Sequence, residues 1–221
     1  MARRGRINAG GYVYHVMNRI TFNRVLLVGS GDCGAFVEAM RDASEYVPMR
    51  MLAYCLLLRH WHLVLWPFED GDLSRFMHRL TMTHSQRWNA AHESIGDGHL
   101  YQGRYRSFPV QPDGHVAMVC RYVEANSVRS GNVTSPEEWR WSSAAYRREA
   151  THEVELPLVP LQAAVPEGAD AEAGLTEGDL AQIRECIKRG RPYGDPIWQT
   201  ETARRLGAEY TLRARGRPRK G

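Results

Sequence analysis

The sequence predicts an α+β domain, an antiparallel sheet with helices packed on it, followed by a small basic C-terminal extension. Three observations carry this reading. Apolar residues alternate with period 2 over 12–20 and 49–66, and they recur at helical spacing over 33–47, 70–91 and 115–128. Strand-like and helix-like stretches interleave along the chain rather than segregating into halves. Charge is uneven: residues 1–148 carry 18 Lys/Arg against 13 Asp/Glu, residues 149–187 carry 1 against 9, and residues 188–221 carry 10 against 3.

Residues 1–11 are basic and end in Gly10-Gly11, a flexible arm entering strand 1 over Tyr12–Ile20. His15 is expected to be a core or hydrogen-bonded histidine within reach of a neighbouring histidine-bearing strand. Leu26 and Leu27 return the chain to the core, and Asp32 is placed as N-cap of a helix over 33–47 that Pro48 ends. Residues 49–58 and 60–66 read as two strands with a turn near Leu57–Arg59, in preference to one long bent strand. Leu73, Phe76, Met77, Leu80 and Trp88 mark a second helix from Asp70 or Asp72 to about residue 91, with Arg75, His78, Arg79, His84 and Arg87 assigned to its outer side. Leu100–Val110 interleaves arginine and tyrosine. That composition suits phosphate neutralisation and base stacking, and equally an amphipathic strand with Tyr101, Tyr105 and Phe108 in the core.

His115–Val128 is the third helix, and Trp139 and Trp141 are expected to tuck 130–148 onto the domain. The acidic stretch 149–175 reads as a linker or irregular strap. Beyond it, 176–221 forms a small helical, basic extension with helices to Ile187 and over Pro196–Leu206, ending in Arg213–Lys220. That tail, with Arg215, Arg217 and Arg219, points to a polyanionic partner.

Composition excludes several classes. The four scattered cysteines form no close ligand pair and fit reduced, buried thiols of a cytoplasmic protein. No stretch approaches 18 uninterrupted apolar residues and no apolar region follows the basic N-terminus, so neither membrane span nor signal peptide is expected. No Gly-Lys-Thr/Ser nucleotide loop suggests coupling to a helicase, and Ser142 and Ser143 have no base arranged for serine hydrolysis.

The chemistry concentrates at two places. In Tyr54–Pro67, His60 and His62 fall on one side of an extended segment, either as satisfied strand histidines or as half of a divalent-metal site. In the third helix, Tyr122 and Asn126 lie four apart and share a face. Asn126 offers an amide oxygen ligand, or else a C-terminal cap; Tyr122 offers a phenol able to attack a phosphodiester, or else is a tyrosine at the edge of the core. Arg19, at the end of strand 1, is placed either to meet a phosphate or simply to be solvated.

His60-Trp61-His62, Gly103-Arg104-Tyr105-Arg106, Arg121–Gly131 with its Tyr-x-x-x-Asn, and Trp141-Ser142-Ser143, together with Gly11–Val16, resemble the REP-associated tyrosine transposases, relatives of the IS200-like single-strand (HUH, Y1) transposases. The resemblance covers roughly residues 5–148. It implies a ferredoxin-like domain, a metal (Mg or Mn) held by His60, His62 and Asn126, and Tyr122 as nucleophile. The implied reaction is cleavage and joining of single-stranded DNA bearing palindromic hairpins through a 5′-phosphotyrosine link, by a monomer or a homodimer. Arg19, Arg104, Tyr105, Arg106, Arg121, Arg129 and the tail arginines are the expected DNA contacts. The chain departs from the family pattern at Leu58-Arg59, Trp61, Glu124 and Ser127, and Glu124 brings a carboxylate near the expected site.

Overall fold

In the computed structural model, which describes residues 7–21, 29–96, 98–149, 151–165 and 175–213, the first strand β1 (Val13–Arg19) is flanked on both sides. The order is β1, α1 (Ser30–Tyr46), β2 (Met49–Leu57), β3 (His60–Pro67), α2 (Asp72–Ala91), β4 (Arg106–Val110), α3 (Gly114–Glu124) and α4 (Asn126–Arg129). The strands lie β2-β3-β1-β4, and every neighbouring pair is antiparallel. The preferred hairpin forms, with only Leu58 and Arg59 between β2 and β3.

Alternation divides the strand residues between two cores. Tyr14, Val16, Trp61, Leu63 and Leu65 join Phe36 and Met40 of α1 and Leu73, Phe76, Met77, Leu80 and Trp88 of α2. Val13, Val64, Phe108 and Val110 join Val116, Val119, Cys120 and Val123 of α3 on the other face. In β2 the parity changes partway: Met49 and Met51 face α1, and so do Tyr54 and Leu56. A bulge between Met51 and Ala53 absorbs the extra residue.

Both sheet edges are covered, which removes the exposed ladder that invites aggregation. Along β2, Leu56 N–H donates to the Trp141 carbonyl at 2.9 Å, Trp139 Nε1 donates to Leu56 O at 2.8 Å, and Met51 exchanges bonds with Pro157 and Val159. The tryptophans thus hold 130–148 in place as expected, and the described part of 149–175 runs as a strap. Along β4, Tyr193 exchanges backbone bonds with Pro109 and Gln111. Tyr193 follows α6 (Glu177–Arg189), which a Thr176/Asp179 capping box starts and Gly190, at φ +70°, ends. Leu180, Ile183 and Cys186 bury α6 in the α3-side core. Two further helices, α5 (Ser143–Tyr146) and α7 (Pro196–Arg205), complete the described fold.

Three local expectations change. Helix α1 begins at Ser30 with Gly29 as N-cap, so Asp32 lies inside the first turn, where its carboxylate pairs with His92 at 2.8 Å. His84 is not on the outer side of α2. It continues the stripe Leu80, His84, Trp88 by steps of four, is 1% exposed, and bonds Tyr101 Oη at 2.8 Å. The third helix breaks at Ala125 rather than running to 128. Residues 1–6, the Leu26–Leu27 pair, 166–174 and the tail arginines Arg215, Arg217 and Arg219 lie outside the described residues. No described helix is long and apolar enough to cross a membrane.

Candidate active site

The two histidines of β3 are set by register. His62 pairs across from Met17 and His60 from Arg19, so both imidazoles emerge on the α3 side at the end of β1. Their rings lie 5.2 Å apart at 82°. Beneath them His15, buried on the same face, meets His62 with its Nε2 2.9 Å from His62 Nδ1. The expected approach of His15 to a histidine-bearing strand therefore occurs. If His62 Nδ1–H donates, Nε2 of His62 keeps its lone pair uncommitted and the ring is held in one orientation. Burial is the main cause that keeps all three neutral. It lowers His15 to about 3 and, with Arg19 adding, His60 to about 4. His62 is pushed well below its ordinary value by burial and then by His15, His60 and the nearby arginines. Neutral imidazoles retain the lone pairs a metal ion requires.

The break at Ala125 shapes the other half. Asn126 Nδ2 donates to the carbonyls of Tyr122 (3.1 Å) and Val123 (3.3 Å), closing the end of α3 as short polar side chains do where they compete with the helix ladder. The cap and ligand readings are compatible: the amide nitrogen is spent on the backbone, and Oδ1 has no hydrogen-bond partner among the described residues. Tyr122 is 5% exposed, and its ring stands edge-on to His62 at 6.0 Å. Arg129 lies over that ring at 4.3 Å and donates to the Tyr122 carbonyl, fixing both ring and backbone. Burial first, and Arg184 among the charges, lowers the Arg129 guanidinium from its usual value.

Tyr122, His60, His62 and Asn126 line one cavity of about 400 Å³ together with Met17, Arg19, Arg106, Arg129, Arg184, Ile187 and Lys188. No carboxylate is among these residues. Glu124, which the sequence placed near the site, turns away: its Oε1 accepts from Ser143 Oγ at 2.6 Å and from Arg147. Trp61 is 0% exposed beneath the sheet, and its indole N–H donates to Tyr101 Oη at 3.3 Å. Among the described residues no three His, Cys, Asp or Glu side chains are grouped to hold a metal ion. Two neutral imidazoles and an amide oxygen are a mixed donor set, in which the imidazoles suit ions such as Zn, Fe or Ni and the amide oxygen suits Mg or Mn.

A family profile described as "Transposase IS200 like" matches residues 9–126. The chain belongs to the IS200-like transposase family. It is an enzyme of that tyrosine-transposase class, and its fold resembles that of a REP-associated tyrosine transposase solved bound to a REP hairpin. That likeness has a TM-score of 0.56 at 17% identity and covers 80% of this transposase and 98% of the solved chain. A transposase structure from Deinococcus radiodurans R1 is similar over 56% of this chain and 96% of its own, at 18% identity and a TM-score of 0.40. No curated protein matches the sequence.

The other expected contacts distribute unevenly. Arg19, Arg106 and Arg129 line the cavity, and Arg104 is exposed beside a separate groove between α2 and residues 98–105. Tyr105 is 8% exposed and bonds Ser74 Oγ at 3.2 Å, so its ring belongs mainly to the core. Arg121 is half-buried and does not line the cavity. Sequence reasoning missed Arg184 and Lys188. The available signal was their i, i+4 spacing on a capped helix, at the border of the face marked by Leu180 and Ile183.

Proposed function

We propose that this cavity cleaves and rejoins single-stranded DNA carrying palindromic hairpins through a 5′-phosphotyrosine intermediate at Tyr122. The observation that carries the reading is the convergence of Tyr122, His60, His62 and Asn126 on one cationic cavity that no carboxylate lines. His60, His62 and Asn126 Oδ1 would hold Mg or Mn, which when bound supplies Lewis-acid polarisation of the scissile phosphate. His15 orients His62, and Arg129 holds the Tyr122 ring in place. Arg19, Arg106 and Arg129 draw the phosphodiester in and offset its charge. The Tyr122 oxygen then forms a bond to phosphorus, and the bond from phosphorus to the 3′-oxygen breaks. The phenolic proton leaves to water, and the departing strand end takes a proton to become a 3′-hydroxyl. Attack by a 3′-hydroxyl on the phosphotyrosine reverses these bonds and joins strands without an external energy source.

All four central groups come from one chain, which supports a monomer as the working unit, with a homodimer as the variant. The βαββαβ order with strands β2-β3-β1-β4 supports a ferredoxin-like topology for a catalytic unit over 1–148. The acidic stretch over 149–175 then serves as a linker and the basic extension over 176–221, with Arg215, Arg217 and Arg219, adds DNA contacts to those of Arg104 and Arg121. The four buried, unpaired thiols support action in the cytoplasm. Labelled hairpin DNA incubated with the protein and Mg or Mn should give a denaturation-resistant protein–DNA adduct, absent from Tyr122→Phe. Tight binding with neither cleavage nor adduct, across metals and hairpins, would instead make the chain a DNA-binding regulator.

A further inference from the structure

We propose that Arg184 and Lys188 of α6 form a phosphate clamp for the single strand flanking the scissile bond, so that the C-terminal extension completes the catalytic cavity. This rests on the cavity being the DNA-cleaving centre. The two residues are one helical turn apart on α6, so their side chains stand together. Both are exposed, and both line the cavity that holds Tyr122 and the histidine pair. Leu180, Ile183 and Cys186 anchor the helix in the core. The clamp is therefore carried on a fixed element rather than on a free tail.

Charge identifies the occupant. Arg19, Arg106, Arg129, Arg184 and Lys188 face one cavity whose described lining contains no Asp or Glu. Arg184 makes no hydrogen bond or ion pair among the described residues, and Lys188 has only an exposed contact with Glu185 at 3.7 Å. Such an exposed pair holds a lysine weakly and leaves it free to meet another anion. Lys188 also sits in the last turn of α6, where the helix dipole favours a cation. Five cations converging on a cavity that no carboxylate lines repel one another until an anion enters. A cavity of about 400 Å³ admits a sugar–phosphate unit rather than a folded protein segment. Because these two cations come from α6 and the expected metal ligands from β3 and α4, a strand held between them would have one phosphate at Tyr122 and a neighbouring phosphate on the clamp.

The test measures binding of fluorescent hairpin-bearing single-stranded DNA over a NaCl series, in a Tyr122→Phe background where no adduct forms. Two lost phosphate contacts should make the slope of log affinity against log salt shallower by about 1.4, from roughly 0.7 per contact on single strands. The Arg184→Gln/Lys188→Gln protein should show that change, with affinity about 10-fold lower at low salt. The charge-conserving Arg184→Lys/Lys188→Arg protein should restore both. With Tyr122 intact, the same Gln pair should raise the DNA concentration for half-maximal adduct formation about 10-fold and leave the saturated rate within about 3-fold. An unchanged slope overturns the clamp, as does a loss of affinity that the charge-conserving pair fails to restore. A wild-type protein that forms no adduct refutes the catalytic reading alone, since the salt slope is read without catalysis.

Discussion

The two faces of the sheet begin from the same three residues of β3, His60-Trp61-His62, and use them in opposite ways. On the α1–α2 face Trp61 donates to Tyr101 Oη, which can in turn donate to His84 Nδ1, in a short polar chain enclosed by Phe36, Leu80 and Trp88. On the α3 face His62 leans on His15 in the same manner, but its remaining nitrogen and the His60 ring face a cavity. Both faces thus bury a histidine against one polar neighbour. What separates them is the outlet, and period-2 alternation supplies it by placing the bulky indole on the closed side and both imidazoles on the open one. His84 Nε2 is itself buried without a hydrogen-bond partner among the described residues, so access to the cavity, and not pairing, separates the two histidines.

The largest effect should come from the open face. Tyr122→Phe removes only one oxygen from a ring held by Arg129, so adduct formation should fall at least about 10³-fold while the melting temperature moves by less than about 2 °C, the shift expected for a loss of a few tenths of a kcal/mol. Gel assays and thermal melts made together check this. A large stability loss would mean that the tyrosine is structural and that the faces differ less than claimed.

The closed face should show the reverse pattern. Trp61→Ala empties a fully buried site and should cost about 3–5 kcal/mol in urea unfolding. Molecules that remain folded at low temperature should still form adduct. Preserved stability with lost activity would place Trp61 in the chemistry.

Both faces should carry an acid-sensitive signature, because burial also lowers His15, His60 and His62, and His84 supplies the closed face's share of it. Burial lowers His84 to about 4 from 6.5. Below pH 6.5 the unfolded chain takes up a proton that the folded chain refuses until about pH 4, so stability present at neutral pH is lost through that window. The loss should reach about 3 kcal/mol, at 1.36 kcal/mol per pH unit. His84→Leu should flatten that part of the unfolding-against-pH curve, and an unaltered slope would refute the assignment.

The smallest change separates site from scaffold at Glu124. Its bonds to Ser143 and Arg147 tie α3 to α5, so Glu124→Gln should cost about 1 kcal/mol. The Mn concentration needed for adduct formation should not change. A changed metal requirement would bring this carboxylate into the site after all.

Much of this contrast was legible in the chain. The β2–β3 hairpin followed from apolar runs around Leu58-Arg59, and the histidine pair from alternation alone. His84 was legible but misassigned, because its polarity outweighed its position four residues from both Leu80 and Trp88. The break at Ala125 was hidden because helical spacing continues through it, and only the side chain of Asn126 bonding back to two carbonyls reveals why the ladder stops. The β2 bulge and the docking of α6 depend on contacts between distant segments. Arg184 and Lys188 therefore read as part of a separate basic extension, although they reach the same cavity as Tyr122.

The most direct test of the open face as the catalytic one is to digest the adduct formed with hairpin DNA and locate the linked residue by mass spectrometry. The account predicts a 5′-phosphate ester on Tyr122 with a free 3′-hydroxyl on the released strand. Attachment at any other residue, or through a 3′-phosphate, would contradict it.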